Sequence, residues 1–249
     1  MLSAPGKLDR SSFWQKKVIF ALDVPTLEET RRFVGLLQDR VGLFKVGLEL
    51  FTAFGKEAVQ AVQEEGGHVF LDLKLHDIPN TVSRAAEEAV KLGVEMFNLH
   101  ATGGLEMMRE TATRCRKLAQ KLGRPCPTIL AVTILTSLDE ENLREIGLVG
   151  PLPERVVSLA ELAKKAGIDG VVASPQEIIP IRQRCGEKFI IVTPGIRPAF
   201  AEPGKDDQKR VMTAKEAISA GANFIVIGRP VRLAPDPGAV MDKLLEEIH

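Results

Sequence analysis

Two aspartates and a lysine crowd the stretch FLDLKLHDIPNT, residues 70–81. Up to Lys74, apolar and charged residues alternate as in a β-strand, where side chains two apart share a face. Leu71 and Leu73 then point one way, toward covering helices, and Asp72 and Lys74 point the other way, inward. An isolated charge in an interior is costly, so the two must pair. A carboxylate that holds an ammonium in place makes it a positioned proton donor. Asp23 and Lys45, on two other apolar runs, can join the pair. Two acids and two bases sum to zero, which makes a buried network tolerable. Such a network could be purely structural, but four charges converging on one end of the strands fit a reaction centre better. Asp77 is different, because it lies past the strand. Pro79 forces Ile78 to be extended, and Asn80 or Thr81 can cap the helix that follows. From there Asp77 points away from its own chain's interior, unless it is only a turn or capping aspartate.

The elements that must hold these charges recur with a clear rhythm. Short apolar runs occur at 18–23, 43–48, 68–74, 94–100, 128–135, 169–174, 189–194 and 224–228. Each is short enough for a strand and nearly continuous in apolar character, as a strand buried on both faces should be. Amphipathic helical stretches lie between them. In TVSRAAEEAVKLG, Val82, Ala85, Ala86, Ala89 and Val90 are expected to form an apolar stripe, while Arg84, Glu87, Glu88 and Lys91 face water. Glycines such as Gly93, Gly167 and Gly221 close several helices just before the next strand. Eight strands alternating with helices in 249 residues predict an α/β fold, the (β/α)8 TIM barrel, as a single domain. Residues 1–16 read as an N-terminal lead-in and 17–249 as the barrel catalytic domain. The competing doubly wound sheet often carries GxGxxG after its first strand, and no such motif follows here.

Barrel sites form at the carboxyl ends of the strands. Asp23, Asp72, Lys74, Asn98, His100, Thr136, Gly228 and Arg229 fall at or just beyond such ends, and Lys45 lies inside the second strand. The segment 193–211 is long, rich in proline and glycine, and contains Arg197 and Gln208. Its length suits a lid. The tetrapeptide IGRP sets Gly228 and Arg229 where a backbone N–H and a guanidinium can hold a phosphate. His100 reads as a hydrogen-bonded structural histidine.

Composition narrows the field. Lysine plus arginine equals aspartate plus glutamate at 33 each, which argues against broad nucleic-acid or membrane binding but allows one positive pocket. Cys115, Cys126 and Cys185 lack CxxC or Cys/His spacing, so neither a disulfide framework nor a zinc site is expected. No apolar run approaches a membrane span, and the N-terminus lacks a signal-peptide hydrophobic region. These features suggest a cytoplasmic protein.

The residues together resemble the orotidine 5'-phosphate decarboxylase family. Its signature D-x-K-x-x-D-[IV]-[GP]-x-T stands complete from Asp72 to Thr81. FALDVPT, FKVGLEL, NLHATGG, AVTILTS, VTPGIRP and VIGRPV resemble its other strand ends. The resemblance implies decarboxylation of orotidine 5'-phosphate to uridine 5'-phosphate, in pyrimidine biosynthesis, with no metal or other cofactor. By position, Asp23 and Lys45 would hold ribose hydroxyls, Asp72 would sit beside the substrate carboxylate, and Lys74 would donate the proton. Asp77, with Ile78 and Thr81, would enter the site of a neighbouring subunit in a homodimer. Thr136 would contact the pyrimidine. Arg197 and Gln208 would belong to the closing loop, and Gly228 and Arg229 would hold the 5'-phosphate. Two other functions remain open. One is a magnesium-dependent sugar-phosphate decarboxylase or aldolase, whose relatives share the shorter D-x-K-x-x-D core. The other is a non-catalytic nucleotide-binding barrel.

Overall fold

The structure, a computed structural model, describes residues 15–200 and 212–249. Most of the expected lead-in 1–16, and Gln208 with its neighbours, lie outside the described residues. Eight parallel strands close into a barrel in sequence order, β1 (Val18–Ala21), β2 (Leu43–Gly47), β3 (Val69–Leu75), β4 (Met96–His100), β5 (Thr128–Val132), β6 (Gly170–Val172), β7 (Ile190–Thr193) and β8 (Phe224–Ile227). The expected (β/α)8 barrel is therefore present.

Alternation along each strand divides the molecule into two cores. Outward residues such as Phe20, Phe44, Leu71, Phe97 and Ile225 pack under the helices in one large cluster. Inward residues Ile19, Leu43, Phe70, Met96, Leu130 and Val192 form a separate apolar plug inside the barrel. Two residues further along β2, β3 and β4 the inward positions are Lys45, Asp72 and Asn98. The apolar plug is thus a floor, and a polar layer lies directly on it. Burying one such large apolar side chain contributes roughly 1.5–3 kcal/mol, so the plug gives the charges a rigid base.

Several strands are shorter than the apolar runs suggest. β1 stops at Ala21, so Asp23 lies in the loop beyond it, and β5 stops at Val132, four residues before Thr136. The apolar character continues because Leu22, Val24 and Ile134 remain buried after the strand pairing has ended. The helix after β3 also starts earlier than expected. It spans Pro79–Leu92, with Ile78 as its extended N-cap residue, and neither Asn80 nor Thr81 caps it. Proline has no N–H to satisfy and its fixed φ suits the first helical position, so the helix begins there. Asn80 instead accepts from Arg84 Nε at 3.1 Å through its side chain. Gly93 closes this helix with φ of 73°, as its position before β4 predicts.

Candidate active site

The inward charges form one connected array with Asp72 at its hub. Asp72 Oδ1 accepts from Lys74 Nζ at 2.7 Å and from Asn98 Nδ2 at 2.6 Å. Asp72 Oδ2 lies 3.4 Å from Lys45 Nζ, which also donates to Asp23 Oδ1 at 3.2 Å. The order Asp23, Lys45, Asp72, Lys74 alternates in sign, so each charge has an opposite neighbour. Lys45 and Asp72 are nearly buried, at 13% and 12% side-chain exposure, while Lys74 opens to 28%.

Electrostatics keeps the buried members charged. Burial alone would raise the Asp72 carboxyl, but Lys45 and Lys74, with the hydrogen bonds from Lys74 and Asn98, hold it below the ordinary carboxylate value. Burial would likewise lower the Lys45 ammonium, and Asp72 and Asp23 outweigh it and leave it raised. The His100 ring sits 5.2 Å from that of His76. Burial, His76 and Lys74 lower the His100 imidazole against the pull of Asp72, so it is neutral at pH 7 beside the array.

The route that brings Lys74 to Asp72 is not a regular strand. Lys74 has φ of 52°, the left-handed region, which is uncommon for a side chain of this kind. The pairing of β3 with β4 shifts between Leu71 and Leu75, which pair with Phe97 and Leu99. This bulge turns the end of β3, and Lys74 N–H donates to Asn98 Oδ1 at 2.8 Å in place of a ladder partner.

Above the array lies a cavity of about 300 Å³. Asp23, Lys45, Asp72 and Lys74 line it from β1 to β3. Ile134, Leu135 and Thr136 line it from beyond β5, which stands across the barrel from β1. Gly195, Ile196, Gly228 and Arg229 line it from beyond β7 and β8. Apolar walls suit a flat ring, and the Gly228–Arg229 corner suits an anion. Glycine at 228 keeps that corner open, since a Cβ there would come within 3.1 Å of Ala21 Cβ. Glycine at 47 matters more directly, because a Cβ there would stand 2.8 Å from Lys45 Nζ.

A larger depression of about 730 Å³ opens by Thr128, Asp169 and Ile190, at the amino ends of β5, β6 and β7. It lies at the opposite end of the barrel, and two of the cations that line it, Arg116 and Lys164, are already engaged. Arg116 donates to Asp169 at 2.9 Å and Lys164 to the Cys185 carbonyl at 2.8 Å. The charged array favours the smaller cavity as the reactive one.

The structure therefore gathers Asp23, Lys45, Asp72, Lys74, Thr136, Gly228 and Arg229 around one space. Asp77, Ile78 and Thr81 are exposed and line no part of it, with Ile78 66% exposed. Asp77 Oδ1 accepts from Ile78 N–H at 2.7 Å, a local turn bond. Arg197 is half-buried beyond β7, off the cavity lining, with its N–H on the Met212 carbonyl. Gln208 lies outside the described residues. Sequence reasoning placed Asn98 at the end of strand 4 without giving it a role, and did not single out Gly47. For Asn98 the available signal was a buried amide on the inward face of an otherwise apolar strand, and for Gly47 no local signal exists.

Barrels that gather acids, lysines and an anion corner at the carboxyl ends of their strands form a class, the (β/α)8 enzymes, and this chain is one of them. Residues 16–244 match the model of the orotidine 5'-phosphate decarboxylase / HUMPS family, and the chain belongs to that family. It is 56% identical over 234 residues to a Pelobacter propionicus protein named orotidine 5'-phosphate decarboxylase, covering 94% of this chain and 95% of the relative. A Geobacter sulfurreducens protein of the same name is 55% identical over 94% of this chain and 96% of its own length. Among solved structures, orotidine 5'-phosphate decarboxylase from Lactobacillus acidophilus aligns with a TM-score of 0.81 at 38% identity, covering 93% of this chain and 98% of that one.

Proposed function

We propose that this chain converts orotidine 5'-phosphate to uridine 5'-phosphate and CO2, and so supplies pyrimidine nucleotide synthesis. The observation that carries the proposal is the Lys74 ammonium, held 2.7 Å from Asp72 in a cavity that Gly228 and Arg229 also line. High identity to relatives of that name, along nearly the whole chain, supports the choice of substrate.

The bond between C6 and the carboxylate breaks, CO2 leaves, and the electron pair stays on C6 in an sp2 orbital. No adjacent carbonyl conjugates with that orbital, so the pair must be stabilised by charge. Lys74 supplies a fixed ammonium, then gives its proton to C6, and solvent later restores the proton. Asp72 presses on the departing carboxylate. Two charges about 4 Å apart interact by roughly 4 kcal/mol at an effective dielectric of 20, at most about a thousandfold in rate. Repulsion alone is too small, and preorganised stabilisation by Lys74 is the larger effect.

Asp23 and Lys45 bind the ribose hydroxyls, and Thr136 contacts the pyrimidine. Gly228 and Arg229 hold the phosphate, with Arg197 and Gln208 contributed by the loop after β7. Asp77, Ile78 and Thr81 serve the site of a second subunit. Their exposure, away from their own cavity, supports that assignment. The working form is a cytoplasmic homodimer built from the domain 17–249.

The reaction needs no metal. The magnesium-dependent sugar-phosphate enzymes of the superfamily hold their ion partly through an acid near the end of strand 2. Here that region presents the Lys45 ammonium, raised and 13% exposed, which repels a cation. Purified protein mixed with orotidine 5'-phosphate in excess EDTA should show the full loss of orotate-type absorbance. No turnover, or turnover restored only by magnesium, would reject the proposal.

A further inference from the structure

Between the paired residues Leu71–Phe97 and Leu75–Leu99, β3 runs through Asp72, Leu73 and Lys74 while β4 offers only Asn98. One residue thus faces the whole bulge. From its side chain, the structure assigns Asn98 a task that nothing else in the site performs. We infer that Asn98 is a positioning residue, whose amide closes the gap opened by the bulge and locks the left-handed Lys74 backbone to the Asp72 carboxylate. This inference rests on the proposed reaction only for its kinetic consequence.

A primary amide has one accepting end and one donating end. Here Oδ1 takes the Lys74 N–H at 2.8 Å, and Nδ2 donates to Asp72 Oδ1 at 2.6 Å. That carboxylate oxygen is the one that also receives Lys74 Nζ at 2.7 Å. A flipped amide would set N–H against N–H and an oxygen against the carboxylate, so the network itself orients the side chain. Asn98 is 1% exposed, so solvent does not substitute for it. A lysine keeps φ of 52° only where its surroundings hold it there. The amide is also neutral, and it leaves the balance of Asp23, Lys45, Asp72 and Lys74 at zero. An aspartate at 98 would keep the acceptor for Lys74 N–H but would lay a third carboxylate against Asp72. Alanine would leave Lys74 N–H without its partner in the interior.

Steady-state turnover of orotidine 5'-phosphate by Asn98→Ala and Asn98→Asp tests this. In Asn98→Ala, kcat should fall about 10- to 100-fold, the effect of losing one hydrogen bond to a charged group. KM should change by no more than about threefold, since the phosphate corner is untouched. Asn98→Asp, although nearly isosteric, should be slower than Asn98→Ala. A packing role predicts the reverse order, because aspartate fills the space and alanine does not. An unchanged kcat in folded Asn98→Ala, or a faster Asn98→Asp, would overturn the inference. Should alanine prevent folding, Asn98→Ser must show the same fall in kcat at near-constant KM. A second readout needs no turnover. In ligand-free protein, carbon NMR should show the Asp72 carboxyl titrating at higher pH in the variant, with Lys45 and Lys74 still beside it. An unmoved titration rejects the inference. Failure of the unmodified chain to turn over substrate rejects the reaction instead.

Discussion

Three constraints meet in Lys74, whose backbone is left-handed, whose amide is tied to Asn98, and whose ammonium is tied to Asp72. A flexible lysine is thereby converted into a fixed charge, the condition that the proposed carbanion stabilisation and proton donation require. Lys74→Ala should lower kcat by at least about a thousandfold while circular dichroism and melting show a folded barrel. Near-normal turnover by that variant would remove the proton donor. Asp72 and Lys45 carry the pH dependence. The Asp72 carboxyl is depressed in the folded state, so its stabilising contribution is present above the unfolded carboxylate value and is lost as pH falls through the folded one. The Lys45 ammonium is raised, so its contribution is present below the unfolded lysine value and is lost as pH rises through the folded one. His100 is lowered, so the unfolded chain binds its proton more readily, and stability declines as pH drops below the ordinary histidine value. Thermal melts from pH 4 to 10 should show a fall on the acid side from His100, and none within neutral pH from Asp72 or Lys45. A steep loss of stability between pH 7 and 9 would show the array to be protonated otherwise than described.

At the scale of elements, β2 and β3 determine whether the array can assemble. β2 brings Lys45 inward and then, two residues on, supplies Gly47, which leaves room for the ammonium. Gly47→Ala should displace Lys45 Nζ from Asp23 and Asp72, reduce kcat/KM by about tenfold or more and lower the melting temperature, because a buried ammonium loses its partners, whereas the backbone itself is unstrained at φ of −97°. Unaltered kinetics would mean that Lys45 can move aside without consequence. β3 contributes through its bulge. Alternation alone correctly predicts that Leu71 and Leu73 face the helices and that Asp72 and Lys74 face inward. The positive φ of Lys74 is not legible locally, because only glycine and asparagine advertise that conformation. It arises where β3 spans three residues against one of β4, and that register belongs to the pair of strands. The early start of the helix at Pro79 was readable in principle, since proline favours the first helical position.

Closure of the barrel sets the scale of the whole molecule. It brings β8 beside β1 and sets β5 across from them, so that Gly228, Arg229 and Thr136, distant in sequence from Asp72, share its cavity. It also leaves Asp77, Ile78 and Thr81 outside that cavity, where the proposed dimer would use them. Mixing Lys74→Ala and Asp77→Ala subunits, each inactive alone, should yield about one quarter of native activity, since half the dimers are mixed and each of those has one intact site. Absence of recovery after subunit exchange, verified by native mass spectrometry, would place Asp77 in its own chain's chemistry or in none.

The sequence by itself determined the kind of fold, the inward pair Asp72 and Lys74, the partners Asp23 and Lys45, and the place of Gly228 and Arg229 just beyond the last strand. Each of these follows from short-range pattern, because strand alternation and helix periodicity are properties of neighbouring residues. Tertiary structure decided the rest. Where the strands end, how β3 slips against β4, which atom of Asn98 meets which charge, and why residue 47 must lack a side chain all depend on distances between segments far apart in the chain. Such distances follow from closing eight strands around one apolar plug, a condition imposed by the molecule as a whole.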